Sequence, residues 1–269
     1  MIKINGEIIN IGNYPDGTLL VKYNKQNKND IKITWHYESD SELFALISLT
    51  KHLKKNNNKV SLNMPYVPHG RMDRVKTSED VFTLKYFAEV INWLDFNSVT
   101  VLDPHSSVSG ALINNIVINH SYEYVRKVIR EAERDDDSIL MFYPDEGAMK
   151  RYSGMFNKPY AFGIKKRDWN TGKILGLEIQ DNGINLKDKT ILMIDDIISY
   201  GGSLYYSAKA LKEIGVGKIY AYATHTENSI LDKEKGTLIK ALENNTVEKL
   251  FTTNSLFTGK HEKIEVMEV

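Results

Sequence analysis

Short, dense apolar runs that stop at polar or special residues constrain this chain more than any other feature. Five stand out, at residues 60–66 (VSLNMPY), 99–103 (VTVLD), 139–145 (ILMFYPD), 190–196 (TILMIDD) and 219–225 (IYAYATH). Runs of this length without polar alternation suit strands covered on both faces, as in a parallel sheet. Helical patterns lie between them. Leu43, Leu46, Ile47 and Leu53 share one face of a helix expected over residues 41–55. Residues 78–93 open with Ser-Glu-Asp, a helix-start signal, and continue with Val81, Leu84, Ala88 and Ile91. Leu204, Ala208, Leu211 and Ile214 repeat at helical spacing until Gly215 stops them. Strand and helix therefore alternate, which predicts an α/β fold.

The 269 residues suffice for one large domain or two modest ones. Cysteine is absent, which excludes a disulfide framework, a cysteine zinc site and a thiol nucleophile. Thirty-five basic residues balance 35 acidic ones, so no global field draws the chain to nucleic acid or to an anionic membrane, and neither is expected as a partner. The first residues, MIKINGEIINIG, lack a leader's apolar centre, and no apolar run approaches a membrane span. A soluble, cytoplasmic protein is expected. The acidic run 131–137 (EAERDDD) reads as a solvated helix end and turn, and residues 52–59 as a helix end and surface loop. Two halves follow, residues 1–125 and 126–269, with the last residues either staying in the second half or returning to the first.

One loop carries chemistry. Residues 194–203, IDDIISYGGS, bring two carboxylates and two glycines to the end of an expected strand, where open parallel sheets bind ligands. Asp195 and Asp196 offer acceptor oxygens for sugar hydroxyls or a hydrated Mg²⁺, and the Gly201-Gly202-Ser203 turn into a helix offers backbone N–H groups for a phosphate. Glycine permits positive φ and close backbone approach, and Ser203 can donate its hydroxyl. A sugar phosphate fits this pair of sites. The plainer reading, an acidic strand end followed by an ordinary turn, has the same residues.

The loop resembles the phosphoribosyl-binding loop of type I phosphoribosyltransferases and of ribose-phosphate pyrophosphokinases. Other segments favour the second group. Pro65-Tyr66-Val67-Pro68-His69-Gly70-Arg71-Met72-Asp73-Arg74 is similar to its ATP-binding Pro-Tyr…Arg-Gln-Asp-Arg segment, and Tyr14-Pro15-Asp16-Gly17-Thr18 to its Phe-Pro-Asp-Gly-Glu segment at the adenine site. Val101-Leu102-Asp103-Pro104-His105 resembles the Asp-Leu-His segment at the metal, and residues 143–151 (YPDEGAMKR) a Pro-Asp-x-Gly segment followed by a basic pair. Ile164-Lys165-Lys166-Arg167 falls where the family has a mobile loop with a catalytic Lys and Arg, and residues 223–225 and 251–255 match later strands. The matches keep family order from Tyr14 to Ser255.

The resemblance implies an α/β fold of two tandem type I phosphoribosyltransferase-like domains with mainly parallel sheets, an active site between them and a homo-oligomer. It implies transfer of the β,γ-diphosphoryl group of ATP to the anomeric hydroxyl of a ribose 5-phosphate moiety, with release of AMP and Mg²⁺ as cofactor. Lys166 and Arg167 would be the catalytic cations, with Lys165 the alternative register. Tyr14, Asp16, Arg71, Asp73 and Arg74 would bind ATP; His105, Asp145 and Asp103 would serve the metal. Asp195, Asp196, Ser199, Tyr200, Gly201, Gly202 and Ser203 would bind the ribose phosphate. Structural readings stand beside these: a strand-end His105, since Mg²⁺ prefers oxygen, surface ion pairs for Arg71 and Arg74, and a packed loop aromatic for Tyr14.

The sequence also departs from the family loop, which reads Asp-Asp-x-x-Asp-Thr-x-Gly-Thr. Ser199 replaces the third acid, Tyr200 the first Thr and Ser203 the last, while Met72 replaces Gln and Thr18 replaces Glu. A helix expected after Ser255 in the family has no counterpart pattern here, so its hexamer is not carried over. Tyr200 in place of a small hydroxyl that helps enclose a terminal phosphate leaves two acceptors open, ribose 5-phosphate (giving PRPP) and ADP-ribose (giving ADP-ribose pyrophosphate), with Tyr200 stacking on a base in the second case. A catalytically silent nucleotide-binding paralogue and a base phosphoribosyltransferase are the other readings.

Overall fold

The computed structural model describes residues 1–24, 30–55, 58–133, 139–167 and 174–269, with the side chains of all of these except 165–167, 174 and 175. They divide into two compact units, Met1–His120 and Ser121–Val269.

The first unit runs β1 (Ile2–Ile4), β2 (Glu7–Ile8), β3 (Ile11–Asn13), β4 (Leu19–Val21), β5 (Asp30–Trp35), α1 (Ser41–Lys54), β6 (Lys59–Asn63), α2 (Thr83–Trp93), β7 (Val99–Leu102), α3 (Val108–Leu112) and β8 (Ile116–Asn119). Its main sheet has the order β2-β1-β5-β6-β7-β8, with β5 to β8 parallel and β1 antiparallel to both its neighbours. β3 and β4 form a separate hairpin whose Ile11, Leu19 and Val21 pack on the core of Trp35, Leu46, Leu62 and Phe87. The second helix starts at Thr83, not Ser78. The acid of that start signal is engaged elsewhere, because the Asp80 carboxylate accepts the N–H groups of Lys76 and Thr77, both at 2.8 Å, and closes a turn before the helix.

The second unit runs α4 (Tyr122–Ala132), β9 (Leu140–Tyr143), α5 (Glu146–Tyr152), β10 (Tyr160–Arg167), β11 (Ile174–Gln180), β12 (Ile191–Ile198), α6 (Gly202–Glu213), β13 (Ile219–Thr226), a 3-10 turn (Asn228–Leu231), α7 (Leu238–Glu243), β14 (Lys249–Thr253) and β15 (Ile264–Met267). Seven strands in the order β11-β10-β9-β12-β13-β14-β15 make one sheet, parallel throughout except for the β10–β11 pair. Both faces are covered, which explains the dense apolar runs. Ile191 and Met193 of β12 enter a core with α6 and α7, while Leu192 and Ile194 enter a core with α4 and α5.

The unit boundary falls between residues 120 and 121, a few residues before the expected 125/126. Val125, Val128, Ile129 and Ala132 bury one face of α4 against Met141, Tyr143 and Tyr222, so the whole helix belongs to the second unit. The chain's last residues stay there too, because β15 pairs with β14. Two acids of the 131–137 run are not simply solvated: Glu131 pairs with Lys249 at 2.9 Å and Glu133 with Lys158. The rest of that run lies outside the described residues. Among the described residues no helix is long and apolar enough to cross a membrane.

Candidate active site

The second sheet has one topological switch point. From β9 the chain moves outward to β10 and β11, then returns to β12 on the other side of β9. Ligands of open α/β sheets bind at such a point, beyond the carboxyl ends of the strands. Asp145 follows β9 and caps α5, its Oδ1 accepting the Ala148 N–H at 3.0 Å. Gly163 on β10 lets that segment come close, since a Cβ there would lie 2.9 Å from the Pro144 carbonyl oxygen and 2.8 Å from Leu177 Cδ1. Asp195 and Asp196 lie at the matching end of β12.

These carboxylates share a field. Asp195 is held well above the usual carboxylate pKa by burial of its carboxyl, by the negative charge and hydrogen bond of Asp196, and by the charge of Asp145. Its Oδ1 accepts the Asp196 N–H at 2.9 Å. Arg151, from the last turn of α5, reaches within 3.7 Å of Asp196 Oδ2, close enough for an ion pair but not for a hydrogen bond. Arg151 belongs to the basic pair following Asp145 and has no assigned role in the sequence reading. Its position on α5 was the available signal.

The loop after β12 is built by a distant segment. Gly201 has φ 84°, and a Cβ on it would come within 2.3 Å of Leu238 Cβ, so both conformation and space demand glycine. The Tyr200 carbonyl accepts the Thr237 N–H and the Thr237 hydroxyl, each at 2.8 Å, and the Leu238 N–H at 3.3 Å. Gly201 is also the N-cap of α6. The first N–H groups of a helix have no intrahelical partner, and here they open at the carboxyl end of β12 beside Ser203. Ser199, Gly202 and Ser203 are half-buried, whereas Tyr200 is 39% exposed.

In the first unit, the loops after β6 and β7 meet. The Leu102 N–H donates to the Pro65 carbonyl at 3.0 Å, a Cβ on Gly70 would lie 3.5 Å from His105 Cβ, and Ser106 hydrogen-bonds the Asp73 carboxylate. Arg74 Nε donates to Asp73 Oδ1 at 2.9 Å. Burial opposes the charge on Asp73, but the bonds from Ser106 and Arg74 and the guanidinium charge outweigh it and hold the carboxyl below its ordinary pKa. Arg71 and Arg74 are exposed. Asp103 is buried at φ 43°, donating its N–H to the Asn119 carbonyl at 2.8 Å. The sequence groups Arg71–Arg74 and Asp103–His105 are thus neighbours.

Tyr14 and Asp16 form the tip of the β3–β4 hairpin. Asp16 accepts the Thr18 N–H at 3.0 Å and hydroxyl at 2.7 Å, which lowers its pKa, and Tyr14 is 53% exposed. No described contact joins this tip to the Arg71–Arg74 loop. Lys166 and Arg167 lie on β10, with a register shift between them against β11, and their side chains lie outside the described residues.

No protein-family model matches the chain. Curated relatives do match in sequence. A ribose-phosphate pyrophosphokinase of Saccharolobus solfataricus is 25% identical over 84% of this chain and 77% of its own length. One from Clostridium tetani is 25% identical over 96% of this chain and 82% of its own length, and ribose-phosphate pyrophosphokinase 1 of Listeria innocua is 28% identical over 84% and 69%. Over most of its length the chain is thus similar in sequence to ribose-phosphate pyrophosphokinases, at 25–28% identity. The fold agrees: the crystal structure of phosphoribosylpyrophosphate synthetase from Mycobacterium smegmatis superposes with a TM-score of 0.78 at 16% identity, covering 97% of this chain and 86% of the other. The chain therefore shares the α/β fold of that structure over nearly its whole length.

Proposed function

We propose that the chain is a diphosphotransferase that moves the β,γ-diphosphoryl group of ATP to the anomeric hydroxyl of a ribose 5-phosphate moiety, with Mg²⁺ as cofactor. The carrying observation is the second unit's switch point, where Asp195, Asp196 and a glycine-opened helix start share one edge. Carboxylate oxygens suit ribose hydroxyls, and the helix N–H groups suit the 5-phosphate. The anomeric oxygen attacks the β-phosphorus, its proton passes to water, and the bond from that phosphorus to the oxygen bridging the α-phosphorus breaks, releasing AMP. The protein's task is alignment and neutralisation of phosphate charge.

Arg71 and Arg74 take triphosphate oxygens, with Asp73 orienting Arg74, and the Tyr14–Asp16 tip meets adenine. Lys166 and Arg167 stabilise the charge that develops in transfer. His105, Asp103 and Asp145 are the residues assigned to the metal. Among the described residues no three His, Asp or Glu side chains form a ready-made metal cage. Mg²⁺ does not require one, since it keeps several waters and binds through one or two carboxylates plus substrate phosphates. Asp145, Asp195 and Asp196 fit that chemistry, because they are oxygen donors, and the negative charges of Asp196 and Asp145, which add to burial in raising the Asp195 pKa, are what a dication relieves. When bound, Mg²⁺ draws charge off the phosphate chain and orients it.

For the acceptor we read ADP-ribose ahead of free ribose 5-phosphate, because an exposed aromatic ring stands where the family has a small hydroxyl. A soluble, cytoplasmic homo-oligomer is part of the same proposal. AMP release from ATP, measured with Mg²⁺ and each acceptor, tests all of the chemistry. AMP formation with at least one acceptor, abolished by EDTA, supports it. Pyrophosphate release from a free base and a phosphoribosyl donor, without AMP formation, overturns it.

A further inference from the structure

Three observations around Tyr200 converge. Lys235 Nζ lies 5.9 Å from the centre of the Tyr200 ring, and both side chains are exposed. Lys235 is held in a fixed turn: the Asp232 carboxylate accepts the N–H groups of Glu234 and Lys235 at 2.9 and 2.8 Å, and the Gly236 N–H donates to the Asp232 carbonyl at 2.9 Å. A Cβ on Gly236 would lie 2.5 Å from the carbonyl oxygens of Ile230 and Asp232, so this turn also demands glycine. Thr237, the next residue, clamps the Tyr200 carbonyl. The backbone thus couples the ammonium to the ring through two glycine-only positions. The Asp232 carboxylate is near enough to feel the ammonium, yet no described residue hydrogen-bonds Lys235 Nζ.

A surface cation–π contact is worth about 0.5–1 kcal/mol, too little to require this construction. A flat ring and a cation beside a phosphate-binding turn do match one ligand class. A ribose 5-phosphate whose phosphate is esterified to a second phosphate presents a further negative charge just outside the turn, followed by a planar group when the ester carries a nucleoside.

We propose that Lys235 is a specificity-determining residue that takes the outer phosphate of a diphosphate-ester acceptor, with Tyr200 stacking on the group beyond it. The proposal deepens the acceptor reading above and rests on it. It also assigns recognition to a segment 35 residues after Tyr200, which no motif of that loop includes.

The test uses the full chain and steady-state AMP formation with ADP-ribose and with ribose 5-phosphate. Lys235→Ala should lower kcat/KM for ADP-ribose about 10-fold or more while leaving that for ribose 5-phosphate within about 2-fold. Lys235→Arg should restore most of the loss, and Lys233→Ala, on the same turn, should change neither. An equal fall for both acceptors, or no fall, overturns the role of Lys235. Turnover with ribose 5-phosphate alone also overturns it and leaves the diphosphotransferase reading standing. If neither acceptor yields AMP, that reading fails; calorimetric titration with ADP-ribose then decides, with weakened binding in Lys235→Ala supporting the proposal and unchanged or absent binding overturning it.

Discussion

The carbonyl of Tyr200 accepts both the backbone N–H and the side-chain hydroxyl of Thr237, each at 2.8 Å. The phosphate role proposed for this turn requires its own carbonyls to point elsewhere. Thr237 performs that service from a segment remote in sequence, and Leu238 behind it fills the space that Gly201 leaves.

Gly201→Ala should therefore lose about 2–3 kcal/mol of stability, because the added methyl clashes with Leu238 Cβ at 2.3 Å and the residue sits at φ 84°. The neighbouring Gly202→Ala meets nothing closer than 3.9 Å and has no positive φ. Its cost should stay within about 0.5 kcal/mol, the usual range for an unstrained substitution. Urea unfolding of the two variants gives the comparison.

Asp195→Asn should raise stability at neutral pH while lowering turnover at least about 10-fold, since strained functional groups trade stability for activity. The folded state raises the Asp195 pKa, so it binds this proton more tightly than the unfolded chain does. Stability from this group accordingly falls as pH rises from the ordinary value of 3.8 to the raised one, then stays low. The Tm advantage of the variant should be present near pH 7.5 and shrink towards pH 4. A Tm gap independent of pH would contradict the electrostatic cause.

Lys249 ties Glu131 of α4 to Glu265 of β15. Its burial disfavours the charge, but hydrogen bonds and attraction from both acids win and raise its pKa above 10.5. Lys249→Met should cost about 0.4–2 kcal/mol, two ion pairs of about 0.2–1 kcal/mol each, and lower Tm by about 2–4 °C per kcal/mol. Because the folded pKa is raised, this stabilisation is complete below about 10.5 and is lost as pH climbs through the raised value. Thermal unfolding from pH 7 to 11 should show the two proteins converging.

Lys166→Ala should reduce kcat by about 10²- to 10³-fold, the scale of a lost preorganised charge-stabilising donor, with an unchanged far-ultraviolet spectrum. Lys165→Ala should stay within about 3-fold. The reverse pattern would move the catalytic register by one residue.

The parallel strands were legible because burial on both faces writes itself as unbroken apolar sequence, as in residues 190–196. The turn that ends β12 and opens α6 was legible because Asp195, Asp196, Gly201 and Gly202 are local in sequence. The start of α2 was not, since Ser78-Glu79-Asp80 has the composition of a cap and the Asp80 carboxylate can equally turn back on Lys76 and Thr77. The pairing of Glu131 with Lys249 spans 118 residues, and composition carries no trace of such a partner. Arg151 beside Asp196 and Lys235 beside Tyr200 are missing from the loop motif for the same reason: both arrive from other elements.

The Thr237 clamp also bears on synthesis. Tyr200 and Thr237 are 37 residues apart, so the Tyr200 carbonyl gains this partner only after the segment leading into α7 has docked. A nascent chain that had emerged as far as Lys235 would carry every residue of the proposed ribose-phosphate loop, yet the Tyr200 carbonyl would still await its threonine.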